Sequence, residues 1–95
     1  MAKLKIEVFT SPTCPHCPGA VRATEELLNE NPGLKDKVSW MEMSTGSPQG
    51  RAKANAYGIR SVPTVILTRD DGETMGYRGA PTQRIYKKMV DEMLK

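Results

Sequence analysis

The chain has 95 residues, 38% apolar, 26% charged and 5% aromatic, with two cysteines and a formal net charge of +3. A chain this long loses roughly 60% or more of its exposed surface on folding, enough for one modest core without a staple, which excludes two domains, a propeller or a solenoid. Lys35 and Lys37 straddle Asp36, Arg69 precedes Asp70 and Asp71, and the uncharged run Val8–Val21 is broken by Pro12, Pro15 and Pro18, so the pattern points to neither nucleic acid nor a membrane span.

In chain order, Leu4, Ile6 and Val8 alternate with Lys5, Glu7 and Phe9, which predicts a strand over Lys3–Thr10 buried mainly on one face. The same alternation leaves Met1–Thr10 without the apolar stretch of a secretory leader, so a cytoplasmic location is expected. Beyond a turn over Ser11–Pro18, Ala20, Val21, Thr24, Leu27 and Leu28 recur at helical spacing opposite Arg22, Glu25, Glu26 and Glu30, and Asn31-Pro32-Gly33 stops the helix. Val38–Met43 reads as a second strand, with Val38 and Trp40 on one face and Met41 and Met43 on the other. Ser47 can cap, and Pro48 can begin, a short helix to Ala56, with Gly58 suited to a left-handed position after it.

Thr64–Thr68 is β-branched and apolar, Asp71-Gly72 is a turn dipeptide, and Glu73–Arg78 can return antiparallel. Thr82 can cap a last helix whose apolar stripe is Ile85, Met89, Val90, Met93 and Leu94, with Tyr86 at its edge. Met41, Met43, Met89 and Met93 fit core filling. The pattern is α/β: a parallel βαβ unit, a helix, a hairpin and a closing helix within one domain, residues 1–95.

Two segments carry chemistry. Cys14-Pro15-His16-Cys17 follows the first strand and opens the first helix. A thiolate there faces unpaired N–H groups and the positive end of the helix dipole, and a protonated His16 adds to both. The Cys14 thiol is therefore expected below the ~8.5 of a free cysteine, a nucleophile at neutral pH. Cys17 lies on the same helical turn, further inward, and can attack a mixed disulfide formed at Cys14. Pro18 suits the first turn, where a missing N–H costs least.

As a structural disulfide the pair closes too short a loop to add much stability. As a metal site, Cys14, Cys17 and the single histidine give at most three ligands of a four-coordinate zinc, so one chain cannot close it. A dimer offering four thiolates to zinc or an iron–sulfur cluster is the alternative. The second segment is Tyr57-Gly58-Ile59-Arg60-Ser61-Val62-Pro63-Thr64, in which Pro63 enters a strand it cannot hydrogen-bond to and needs an edge, a bulge or a cis turn. Arg60 beside it either steers an acidic partner or is a solvated loop residue.

CPHC after a strand, the later Tyr-Gly-Ile-Arg-x-Val-Pro-Thr and this order of elements resemble the thioredoxin superfamily. More narrowly, Thr10-Ser11-Pro12, CPHCP and Gly79-Ala80-Pro81-Thr82 are similar to the small thioredoxin- or glutaredoxin-like proteins of archaea. The resemblance covers nearly the whole chain and implies a thioredoxin fold, a four-stranded mixed sheet flanked by three helices. It implies Cys14 as nucleophile, Cys17 as resolving thiol, Pro15 and His16 as modulators, and Pro63 as a cis proline against the disulfide. Val62, Pro63, Thr64 and Gly79 would then form the edge that receives substrate.

The activity implied is that of a monomeric dithiol–disulfide oxidoreductase with no bound cofactor beyond the Cys14/Cys17 couple. Its partners would be disulfide-containing target proteins and a reducing system: a flavin-dependent thioredoxin reductase, a ferredoxin-linked reductase or small thiols. Departures from the resemblance are informative. Thr13 stands where thioredoxins usually have Trp, and Val8 where they carry a buried acid, which leaves solvent as the proton acceptor for Cys17. Ser11-Pro12-Thr13 and Gly79-Ala80-Pro81-Thr82-Gln83 replace the basic residue and the Gly-Gly-x-x-Asp of glutaredoxins, so glutathione binding is not implied. CPHC also matches periplasmic disulfide-forming oxidases, whose large helical insertion has no room in this chain; an oxidant or isomerase is the remaining alternative to a reductant.

Overall fold

The computed structural model describes residues 3–95; Met1 and Ala2, the start of the segment read for a leader, lie outside the described residues. The elements are β1 (Leu4–Thr10), α1 (Cys17–Glu30), a 3-10 turn (Pro32–Leu34), β2 (Val38–Ser44), α2 (Pro48–Ala56), β3 (Thr64–Arg69), β4 (Thr74–Arg78) and α3 (Gln83–Met93). Local chemistry sets several of these boundaries. Ser47 Oγ accepts from the Gly50 N–H at 3.1 Å and Thr82 Oγ1 from the Ile85 N–H at 3.3 Å, each satisfying a donor that a helix start leaves open. Gly58 ends α2 at φ +70° and Gly72 turns the hairpin at φ +96°, both in the left-handed region. α1 begins at Cys17, so the cysteine segment opens the helix and Pro18 lies in its first turn, as its missing N–H allows.

The strands form one mixed sheet in the order β2-β1-β3-β4. β1 runs parallel to β2 and antiparallel to β3, and β4 returns antiparallel to β3. α1 and α3 cover one face, where Leu4, Ile6, Val8, Val65 and Leu67 meet Ala20, Leu27, Tyr86 and Val90. α2 lies on the other face, where Phe9 and Ile66 pack with Ala54.

Three sequence expectations change in this setting. β1 is buried on both faces rather than mainly on one, because it is an interior strand with helices above and below; Glu7 and Phe9 are both 0% exposed. The apolar stripe of α3 is rotated: Tyr86 sits at its centre, 0% exposed, while Ile85 turns outward at 37%. The tyrosine can be buried whole because its hydroxyl meets Thr24 Oγ1 at 2.7 Å. Met41 does not fill the core, since α2 covers Met43 on the edge strand β2 and leaves Met41 49% exposed.

Two close fits yield predictions. A Cβ at Gly50 would overlap the Ser44 carbonyl, so α2 approaches the end of β2 with no space for a side chain. Gly50→Ala should lower the urea midpoint by a loss of about 1–3 kcal/mol. Gly19→Ala, with nothing within 4 Å of the new methyl, should hold stability or raise it by up to about 1 kcal/mol. Burial pushes the Tyr86 phenol up to about 12, against the lowering effect of its Thr24 hydrogen bond. The unfolded phenol ionises near ~10, so Tyr86 contributes stability that is whole below that pH and is lost as pH rises toward 12. Tyr86→Phe should flatten the fall in unfolding free energy across this alkaline window, measured by urea titration at stepped pH.

Candidate active site

The carboxyl ends of β1 and β2 and the amino end of β3 meet at one edge of the sheet. Thr45 ties the first two together, its N–H and its hydroxyl both donating to the Thr10 carbonyl, at 2.8 and 3.0 Å. In the antiparallel register Phe9 pairs with Thr64, so Pro63 falls beside the turn that leaves β1. Cys14-Pro15-His16-Cys17 and the Val62-Pro63 segment, far apart in the chain, thus become neighbours. A groove of about 350 Å³ is walled by Ser11, in the turn that leads from β1 to the cysteines, and by Val62.

Cys14 and Cys17 are joined as a disulfide, their Cα atoms 5.4 Å apart. Cys17 is the first residue of α1 and only 3% exposed, whereas Cys14, in the turn before it, is partly exposed. The Cys14 N–H donates to the Ser11 carbonyl at 3.1 Å, which closes that turn. His16 occupies the position preceding α1, and its side chain makes no capping hydrogen bond among the described residues. The positive end of the α1 dipole is therefore not met by a protein carboxylate or hydroxyl, and a thiolate on either cysteine is favoured there. Pro15 and His16 are exposed over the pair.

The Val62–Pro63 bond is cis. Gly79, at φ +97°, donates its N–H to the Pro63 carbonyl at 2.7 Å, and the buried Thr64 donates its hydroxyl to the Ser61 carbonyl at 2.7 Å. Gly79 and Thr64 thus hold the turn around Pro63. The Val62 N–H and carbonyl make no backbone hydrogen bond among the described residues.

Two carboxylates near the site were not picked out from sequence. Glu7, in the middle of β1, accepts from the Tyr57 hydroxyl at 3.0 Å and forms an ion pair with Lys53 Nζ at 3.3 Å. As an acceptor first and through its charge second, Glu7 holds the Lys53 ammonium above its ordinary value. Tyr57 also meets Phe9 edge to face, with ring centroids 5.9 Å apart. These contacts pin the last turn of α2 to the sheet, and from that turn the chain passes through Gly58 to Pro63. The available signal was an acid in a strand flanked on both sides by apolar residues. Glu42, in register with Val8 and hence on the same face, accepts from the Thr10 hydroxyl at 2.8 Å. It borders a groove of about 630 Å³ that both cysteines also line.

Among the described residues, no group of three or more His, Cys, Asp or Glu side chains is arranged to hold a metal ion. No described helix is long and apolar enough to cross a membrane. Residues 2–94 match the family model described as a thioredoxin-like domain. The chain belongs to the thioredoxin-like family. It is 40% identical over 94 residues to a thioredoxin of Methanocaldococcus jannaschii, covering 99% of this chain and 100% of that protein. A probable thioredoxin of Methanothermobacter thermautotrophicus is 34% identical over 91 residues, 95% of this chain and 96% of its own. Among solved structures, a variant thioredoxin of Halobacterium salinarum superposes with a TM-score of 0.80 at 20% identity, over 99% of this chain and 77% of that one, and so shares the fold. A thioredoxin-like chain with Cys14 and Cys17 paired in this way is a protein-disulfide oxidoreductase.

The Glu7 cluster makes a stability prediction. Tyr57→Phe removes one hydroxyl and leaves a buried carboxylate oxygen without its donor, which should cost about 1–3 kcal/mol in urea unfolding. Because the ring and its contact with Phe9 remain, the far-ultraviolet dichroism of the folded protein should be unchanged.

Proposed function

We propose that this thioredoxin-like protein is a reductant of protein disulfides, acting through Cys14 as nucleophile and Cys17 as resolving thiol. The observation that carries the reading is the asymmetry of the pair at the start of α1: Cys14 is open to a partner and Cys17 is buried behind it. In the reduced protein the Cys14 thiolate attacks one sulfur of a target disulfide. A bond forms between Cys14 and the target, and the second target sulfur leaves as a thiolate and takes up a proton. Cys17 then gives up its proton through the groove it shares with Glu42 and attacks Cys14 Sγ, expelling the first target sulfur. Two electrons have passed to the target, and the protein is left with the Cys14–Cys17 disulfide.

The uncapped start of α1 favours the attacking thiolate, with Pro15 and His16 exposed over it as modulators. A target backbone has a free donor and acceptor at Val62 beside the cis Pro63, in an edge shaped by Thr64 and Gly79. The chemistry is complete in two thiols, so the couple needs no bound cofactor and one chain suffices. A role as reductant belongs to the reducing cytoplasm, where a thioredoxin reductase, a ferredoxin-linked enzyme or small thiols would return the dithiol.

Cys17→Ser should accumulate a mixed disulfide with a target, seen as an added mass that a reductant removes, and Cys14→Ser should lose disulfide-reducing turnover. Turnover retained by Cys14→Ser would overturn the mechanism. Equilibration against thiol buffers should give a potential at or below the cytosolic glutathione poise of about −220 to −260 mV. A value well above that poise would make the protein an oxidant or isomerase instead.

A further inference from the structure

The edge beside Pro63 is not electrically neutral. Arg60 borders two grooves at once. One, of about 350 Å³, reaches Arg51 on α2, and the other, of about 610 Å³, passes over the bare backbone of Gly76 to Arg78 on β4. Among the described residues, no carboxylate stands in the wall of either groove. Arg51, Arg60 and Arg78 are exposed, and none of them is in an ion pair among the described residues, in contrast to Arg69, which Asp71 and Glu73 hold. The groove that both cysteines line, which adjoins the first of these at Ser11, has the opposite sign: it carries Glu25, Glu26 and Glu42 against Arg22 alone.

We propose that this polarity selects targets and sets their direction of approach. The preferred target is a disulfide-bearing protein segment whose acidic residues lie along the arginine grooves beside Pro63. Guanidinium groups without partners suit this task, since each can bind a carboxylate in a two-pronged fashion and none has to break an existing ion pair first. Opposed charges in the acidic and arginine-lined grooves orient the encounter and speed productive association more than they deepen affinity. The inference rests on the reading of Cys14 and Cys17 as the reacting pair and of Val62 as the receiving edge.

The test uses three peptides with the same central disulfide. One has neutral serine flanks and reports only on whether the couple reduces disulfides; if it is not reduced, the proposed function fails irrespective of charge. The other two have identical composition, one with glutamates on the amino side and lysines on the carboxyl side, the other reversed, so net charge is matched. At low ionic strength kcat/KM for these two should differ by about tenfold, as a few exposed ion pairs allow. The difference should collapse in about 1 M salt, where charges more than about 3 Å apart are screened. Arg51→Glu combined with Arg60→Glu leaves both sides of the opening acidic and should remove most of the preference. Equal rates for the two charged peptides in the unmodified protein, with the serine peptide reduced, would overturn the proposal without disturbing the function. So would a preference that survives high salt or the charge reversal.

Discussion

The rest of the structure depends on the enclosure of β1 on both faces. With β2 parallel on one side and β3 antiparallel on the other, β1 has no free edge, and helices lie over both of its faces. An interior strand in this position fixes where its carboxyl end emerges, and the cysteine turn begins there. The antiparallel pairing of β3 then brings the cis Pro63 to the same place, because the start of an antiparallel strand lies beside the end of its neighbour. The site is therefore a consequence of sheet order, formed where two strands end and a third begins.

That enclosure carries a cost that the fold offsets locally. Glu7 is a carboxylate taken wholly out of water, which is tolerable only with close partners. Lys53 of α2 and Tyr57, which directly follows the helix, are these partners. A buried ion pair seldom adds net stability compared with apolar residues of the same shape. Its effect here is geometric: it fixes the last turn of α2, and with it the start of the loop that ends at Pro63. Thr64 and Gly79 fix the other end of that loop through hydrogen bonds of 2.7 Å each. The loop is thus held from both sides, while the Val62 backbone between them makes no backbone hydrogen bond among the described residues.

The two cysteines differ in environment although only Pro15 and His16 separate them. The helix begins at Cys17, which directs its sulfur inward, while Cys14 remains in the turn where a large partner can reach it. The field of the helix start acts on both sulfurs, and Cys14 is the more accessible of the two. Beyond the pair, the arginines on one side and the glutamates on the other give the opening a direction that the cysteines alone do not have.

The sequence by itself determined what depends on near neighbours. The caps at Ser47 and Thr82, the left-handed glycines at 58 and 72, and the CPHC turn between a strand and a helix all follow from the chemistry of a few adjacent residues, and each is realised in the structure. The cis geometry at Pro63 came from family resemblance, since from the local sequence alone a cis bond is improbable, at about 5% of X-Pro bonds. Tertiary structure decided which faces were covered. The alternation in β1 marks two faces but cannot say that a helix will lie on each, so Glu7 fell on the face not expected to be the buried one. The pattern of α3 put Ile85 inward and left Tyr86 at the margin, because it could not register that Thr24, on another helix, would satisfy the phenol. Met41 likewise carries an apolar side chain to a part of an edge strand that nothing covers. Periodicity records how a segment divides its side chains between two directions; what waits in each direction is set by segments distant in the chain, through pairing and packing that no local window contains.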